Sequence, residues 1–131
     1  MNGSVTWARV DPHRAREPEQ PEVFSGTVWM QRIHEPAVPG GMEVVVVFFE
    51  NGARTRPHVH STEQILFFVE GEGVVATETE RRLVGPGDIV VIPAGTWHWH
   101  GANKGTSAWQ ISVRTPGPTD WNAPLRDWSE W

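Results

Sequence analysis

Residues 42–79 read MEVVVVFFENGARTRPHVHSTEQILFFVEGEGVVATET, and their patterning decides the fold class. Three runs, residues 42–50, 64–69 and 73–79, are short and rich in Val, Ile and Phe, which is the composition of strands rather than helices. Asn51-Gly52 and Gly71-Glu72-Gly73 punctuate them as turns. The same texture continues outward, with runs at 27–33, 88–92 and 107–114 and breaks at Pro39-Gly40-Gly41 and Gly85-Pro86-Gly87. No long stretch has helical period, and no repeat of solenoid length occurs. Short strands at near-regular spacing predict an all-β sandwich, jelly roll or closed barrel.

Composition narrows the function. The 131 residues suit one domain, able to bury roughly two-thirds of its unfolded surface. The absence of cysteine excludes disulfides, zinc fingers, iron–sulfur clusters and thiol nucleophiles. A net charge of −5 argues against nucleic acid or an anionic membrane as partner. Lys104, the single lysine, is the only side chain able to form a Schiff base. The longest apolar run, 44–49, is far below a membrane span. The opening MNGSVTWARVDP lacks a basic segment followed by an apolar one, so no secretion signal and a cytoplasmic location are expected.

One domain is expected overall, in three parts: an N-terminal arm with the first strands (1–41), a barrel core (42–114) and a Trp-rich tail (115–131). Residues 11–22, charged and broken by proline, read as an extended arm or loop. The tail carries Trp121, Trp128 and Trp131, too much apolar area to leave in water, so it should dock. Its own barrel and a neighbouring subunit are both open to it, the neighbour being favoured because the arms flank the fold.

The strongest chemical signal is His58-Val59-His60. Residues two apart on a strand face the same way, so both imidazoles aim at one point. Gln64 shares that parity, and His98 follows a separate strand in Pro93-Ala94-Gly95-Thr96-Trp97-His98. Two histidines from one strand and one from another suit a divalent metal on a rigid β scaffold, with positions left open for substrate.

These residues carry a family resemblance. Gly52-x5-His58-x-His60-x3-Gln64-x6-Gly71 resembles the first cupin motif, and Gly87-x5-Pro93-x-Gly95-x2-His98 resembles the second, the match spanning about residues 42–114. The resemblance implies a double-stranded β-helix, a jelly-roll barrel, with one metal held by His58, His60, the residue at 64, and His98. Two positions depart from the pattern. Gln64 stands where the motif usually has Glu, with Glu63 one place early and on the opposite face. Ala102 stands where the second motif usually has Asn, with Asn103 one place late. A neutral Gln leaves the metal's charge uncompensated, which raises its Lewis acidity, favours an anionic substrate and weakens affinity for the metal itself.

Within cupins the chain is similar to the manganese-dependent bacterial hydroxynitrile lyases, and shares a ligand set with uronate-linearising cupins. The likeness to the lyases rests on Phe24-Ser25-Gly26-Thr27-Val28, Gly52-Ala53-Arg54-Thr55, His98-Trp99-His100-Gly101-Ala102 and Asp120-Trp121. In those lyases a histidine on the last barrel strand is the acid/base partner. Gln110 occupies the aligned position here and cannot take up a proton at neutral pH. His100, on the parity of His98, is then the nearby candidate base, with a fourth imidazole ligand the lesser alternative, or else a buried histidine bonded to structure.

Other side chains divide between chemistry and packing. Gln64 either ligates the metal or bonds a metal-bound water, and Gln110 is expected on the pocket wall. Arg54 and Arg56 could meet an anionic substrate, although exposed arginines are the commoner reading. Arg114 is expected in solvent at the end of its strand. Trp97 and Trp99 should pack in the core or a dimer. His13 and His34 lie outside the motifs and are assigned no role.

The sequence therefore points to a cupin with one divalent transition metal (Mn, Fe, Zn or Ni, with Mn favoured) acting on a small polar molecule. Lyase or isomerase chemistry comes first, with catalytic roles for His100 and Gln110. An iron or nickel dioxygenase is second, and a non-catalytic metal-dependent binder is third. With no DNA-binding segment in the chain, a one-chain transcription factor is not expected. Nucleic acid and membrane are not expected as partners, whereas a homodimer is.

Overall fold

A computed structural model describes residues 3–131 of the protein. It contains twelve strands: β1 (Phe24–Ser25), β2 (Val28–His34), β3 (Glu43–Phe49), β4 (Arg54–Thr55), β5 (Val59–His60), β6 (Gln64–Gly71), β7 (Gly73–Thr77), β8 (Arg81–Val84), β9 (Ile89–Ile92), β10 (His98–Ala102), β11 (Ala108–Arg114) and β12 (Thr119–Asp120). Two five-stranded sheets, β1-β4-β10-β7-β8 and β2-β3-β11-β6-β9, form the jelly-roll expected above, and the pair β12-β5 borders its cavity. Every pairing in them is antiparallel.

Alternation along the strands sets what faces inward. On β6, Gln64, Leu66 and Phe68 are buried while Ile65 and Phe67 are half-buried. On β11 the buried set is Ala108, Gln110 and Ser112. Inside, one apolar cluster gathers Val28, Val45, Val47, Phe49, Ala53, Ala102 and Ala108. A second gathers Leu66, Phe68, Val75, Val84 and Ile92. The inward polar residues of β5, β6, β10 and β11 belong to neither cluster, and they build the site.

Two turns need their glycines. Asn51 (φ 40°) and Gly52 (φ 76°) are both left-handed, and Ala53 N–H donates to Glu50 C=O at 2.8 Å, closing a primed turn that Asn-Gly favours. Gly71 (φ 79°) passes so close to the Ser107 carbonyl that a Cβ there would collide with it.

Besides the two-residue strands β1, β4, β5 and β12, two longer strands lie outside the runs expected from composition. β8 is an edge strand whose first three residues are exposed, so it has no apolar alternation to show. β10 is buried throughout, but its inward residues include imidazoles and its outward Trp99 lies beneath the tail.

The tail docks on its own barrel, which corrects the preference for a neighbouring subunit. Trp128 and Trp131 pack on a cluster of Val74, Ala76, Trp97, Trp99 and Ala123 over the outer face of β7 and β10. Trp97 Nε1–H donates to Pro124 C=O (2.7 Å) and Trp128 Nε1–H to Thr55 C=O (3.0 Å). Arg54 is buried between the Trp99 and Trp128 rings, 5.3 and 4.4 Å from their centroids, and donates to Trp128 C=O at 2.7 Å. Arg54 is thus a tail anchor rather than a substrate contact. Residues 11–22 form the expected loop, carrying two short 3-10 turns, and Arg16 bridges to Met30 of β2. Among the described residues no helix is long and apolar enough to cross a membrane.

Candidate metal centre

Backbone pairing brings the three histidines together. His58 and His98 exchange backbone hydrogen bonds of 3.0 and 3.1 Å, so their side chains stand side by side on one face. His60, two residues on, shares that face. The ring centroids lie 4.2 Å (His58 and His98), 4.7 Å (His60 and His98) and 4.9 Å (His58 and His60) apart. One nitrogen from each ring falls within 4.8 Å of the others.

Hydrogen bonds settle the tautomers of two rings. His58 Nδ1 bonds the Arg56 carbonyl at 2.7 Å, and His98 Nδ1 bonds the Thr96 carbonyl at 2.8 Å. A carbonyl only accepts, so each Nδ1 carries the proton and each Nε2 presents a lone pair. Burial drives the pKa values down, to about 4 for His60 and His98, and His58 falls well below its ordinary value as well. Neighbouring His98 adds to the shift at His58 and His60. The rings are therefore neutral at pH 7, the form that binds a metal.

Gln64 is buried beside them, on the parity predicted. Its Nε2 donates to Ser112 Oγ at 2.7 Å, and its Oε1 lies 3.4 Å from His98 Nε2. Both of the latter atoms are acceptors, and no proton stands between them. Three neutral imidazoles and an amide oxygen therefore converge, and an added cation would relieve the acceptor–acceptor contact. These residues fit a divalent metal.

His100 is buried, 5.7 Å from the His98 ring and stacked parallel to it. Its Nδ1 bonds Gln110 Oε1 at 3.0 Å. Burial holds its pKa well below the ordinary value, and His98 and His60 add to the shift. Gln110 is completely buried, bonded to His100, and its Nε2 has no partner among the described residues. It therefore stands behind His100 rather than on the cavity wall where it was expected.

The site opens into a cavity of about 480 Å³ whose walls include His58, His60, Gln64, His100, Arg114 and Trp121. Two of these walls correct or extend the sequence reading. Arg114 is not in solvent: its side chain is 16% exposed, because register pairs it with Gln64 on one side and Glu43 on the other. Its parity with Gln110 was legible, but the depth of the strand's end was not. Trp121 lies over His58, with centroids 4.3 Å apart at 32°. That placement follows from β12 pairing with β5, which nothing in the local sequence signals. Ser112, which holds Gln64, was likewise missed. Trp97 and Trp99 lie in the core, on the face away from the cavity.

Comparison with known proteins agrees with this architecture. Residues 45–112 match the Cupin domain family. An (R)-mandelonitrile lyase of Granulicella tundricola is 33% identical over 92 residues, 70% of each chain. An acireductone dioxygenase of Parasynechococcus marenigrum is 37% identical over 46 residues, which is 32% of this chain and 25% of that one. The crystal structure of a cupin-like protein from Thermotoga maritima superposes with a TM-score of 0.76 at 32% identity, covering 82% of this chain and 84% of the other. A family match across just over half of the chain, on a jelly-roll with clustered histidines, leads to one conclusion: the protein belongs to the cupin family.

Proposed function

We propose that the protein is a metal-dependent cupin that acts on a small polar organic molecule by lyase or isomerase chemistry. The observation that carries this reading is the 3.4 Å meeting of two acceptors, His98 Nε2 and Gln64 Oε1, beside His58 and His60. We assign His58, His60, Gln64 and His98 as ligands, with manganese as the favoured ion. When bound, the metal supplies a Lewis acid for a hydroxyl or carbonyl oxygen of the substrate.

The chain's own groups supply the rest. His100 lines the cavity in its neutral form, and the Gln110 oxygen keeps the proton on its Nδ1, leaving Nε2 to accept one from substrate. Gln110 is thereby a positioning residue. Trp121 covers His58 and limits water at that side of the site.

Two other readings have specific support. The partial match to acireductone dioxygenases favours an iron or nickel oxygenase, which would consume oxygen during turnover. Gln110, unable to exchange a proton, favours a metal-dependent binding protein without turnover.

The test is elemental analysis of protein purified without a metal-binding tag, beside a His58→Ala/His60→Ala variant. Stoichiometric manganese or zinc, lost in the variant, supports the proposal and directs screening to hydroxy acids, keto acids and cyanohydrins. On the substrate found, His100→Ala should lower kcat with metal retained. Iron or nickel with oxygen uptake moves the oxygenase ahead, and a chain that binds no metal even on reconstitution refutes the site.

The homodimer is part of the same proposal, although the tail no longer supports it. Support comes instead from the outward face of the β2-β3-β11-β6-β9 sheet, where Trp29, Trp109, Ile111 and Phe67 are half-buried and Ile89 and Val91 exposed. Gln31, on this face, holds the Arg9 carbonyl, and two residues away Trp7 is 89% exposed, poised to cross a second copy. Light scattering that gives the mass of one chain would refute it, and Ile111→Glu should dissociate a dimer.

A further inference from the structure

The wall of the cavity formed by β2, β3 and β11 holds an unusual charge arrangement. Glu43 lies between two arginines, with Oε1 3.7 Å from Arg114 Nε and Oε2 3.6 Å from Arg32 Nη1. Neither contact is short enough for a good hydrogen bond. Among the described residues the remaining polar contact of Arg114 is a 3.5 Å approach of its Nη1 to Thr62 Oγ1. A guanidinium has five N–H donors in a planar fork, and this one is mostly buried with hardly any of them used. None of its nitrogens is among the buried unpaired atoms of the described residues, so the unused donors open onto the cavity that Arg114 lines, and the arrangement is that of a receptor rather than of a completed ion pair.

Arg114 is also close to the histidines. It is the cross-strand partner of Gln64, and both residues line the cavity. Its charge helps to lower the pKa of His60 and of His98, so its field reaches the metal end. Arg32, Glu43 and Arg114 together leave one positive charge on this wall, and the donors at the histidine end are neutral. Glu19, which also lines the cavity, and Glu35 both pair with Arg32 and offset its charge, but each is largely exposed and screened by solvent, so Arg114 is the buried cation of this wall.

We propose that Arg114 is the specificity-determining residue of the site, its guanidinium binding the carboxylate of a small hydroxy- or oxo-monocarboxylate whose other oxygen reaches the histidine end of the cavity. The substrate carboxylate takes the bidentate place that Glu43 fills only loosely, and Glu43 remains beside Arg32. This separates the protein from any relative whose substrate is uncharged. The oxygen end of the assignment rests on the proposed metal site, and the carboxylate end does not.

The test is calorimetric binding of lactate and of lactamide, its neutral counterpart, to the manganese-loaded protein and to variants, with metal content measured on each sample. The expected result is at least tenfold preference for lactate in the unmutated chain. Arg114→Met should abolish that preference with metal content and thermal unfolding unchanged, and Arg114→Lys should restore part of it. Glu43→Gln removes the competitor and should tighten lactate binding three- to tenfold, a gain that misfolding cannot imitate. Equal affinity for lactate in Arg114→Met, preference for lactamide, or no lactate binding by metal-loaded protein would each overturn the proposal. If no sample takes up manganese, the metal reading fails by itself. Lactate binding to the metal-free chain that is lost in Arg114→Met then upholds the carboxylate assignment, and its absence or persistence overturns it.

Discussion

Replacing Arg54 by methionine tests whether this residue anchors the tail. Methionine keeps the apolar stem and removes the charge, the donors and the two ring contacts. The side chain lies 5.3 Å from the Trp99 centroid and 4.4 Å from that of Trp128, and each cation–π contact in a partly dry site contributes about 1 kcal/mol. Its 2.7 Å bond to the Trp128 carbonyl adds about 2 kcal/mol as a hydrogen bond from a charged group. Against this gross 4 kcal/mol stand the burial of the guanidinium and repulsion from Arg81, which together lower the pKa of Arg54. A net loss of about 2 kcal/mol remains, equivalent to a fall in Tm of about 6–8 °C for a chain of this size. Urea unfolding followed by tryptophan fluorescence reads it directly, and limited proteolysis should cut the variant first within residues 115–131. A change below about 0.5 kcal/mol, the value for an ordinary exposed arginine, would refute the anchoring argument.

Three further outcomes are expected. Gly71→Ala should cost about 3 kcal/mol, since its left-handed backbone and the Ser107 carbonyl both exclude a Cβ; thermal unfolding within 1 kcal/mol of the original would contradict this. Without metal, the folded chain keeps His98 unprotonated down to about pH 4 while the unfolded chain protonates near 6.5. Stability is then complete above pH 6.5 and lost as pH falls towards 4, by up to about 1.4 kcal/mol per pH unit for this ring, and equal urea midpoints at pH 7.5 and 5.5 in EDTA would deny it. Gln64→Glu puts a carboxylate beside the three imidazoles and should tighten manganese binding by about tenfold or more, whereas unchanged affinity in a metal-competition assay would remove Gln64 from the ligand set.

Much of the fold was legible because strand periodicity is a local property. The runs at 42–50, 64–69 and 107–114 became β3, β6 and β11 almost residue for residue. The strand that was hardest to read, β10, has one face against the site and the other under the tail, so both of its faces are buried and alternation disappears. That His58 and His60 share a face could be foreseen from parity, and that His98 joins them from the resemblance to the two cupin motifs. The roles of Arg54 and Arg114 could not, because each depends on what lies across a sheet or under a distant segment. Arg54 met a tryptophan 74 positions away, and Arg114 was paired by register with Gln64 and Glu43.

By itself, then, the sequence determined the all-β class, the turn positions and the side of the strand on which each imidazole falls, since these follow from neighbours one to seven residues apart. The tertiary structure decided which strands pair, that the tail covers its own barrel, that Trp121 lies over His58 and that Gln110 holds His100 from behind. Each of those is set by contacts between segments far apart in the chain, where local periodicity has nothing to say.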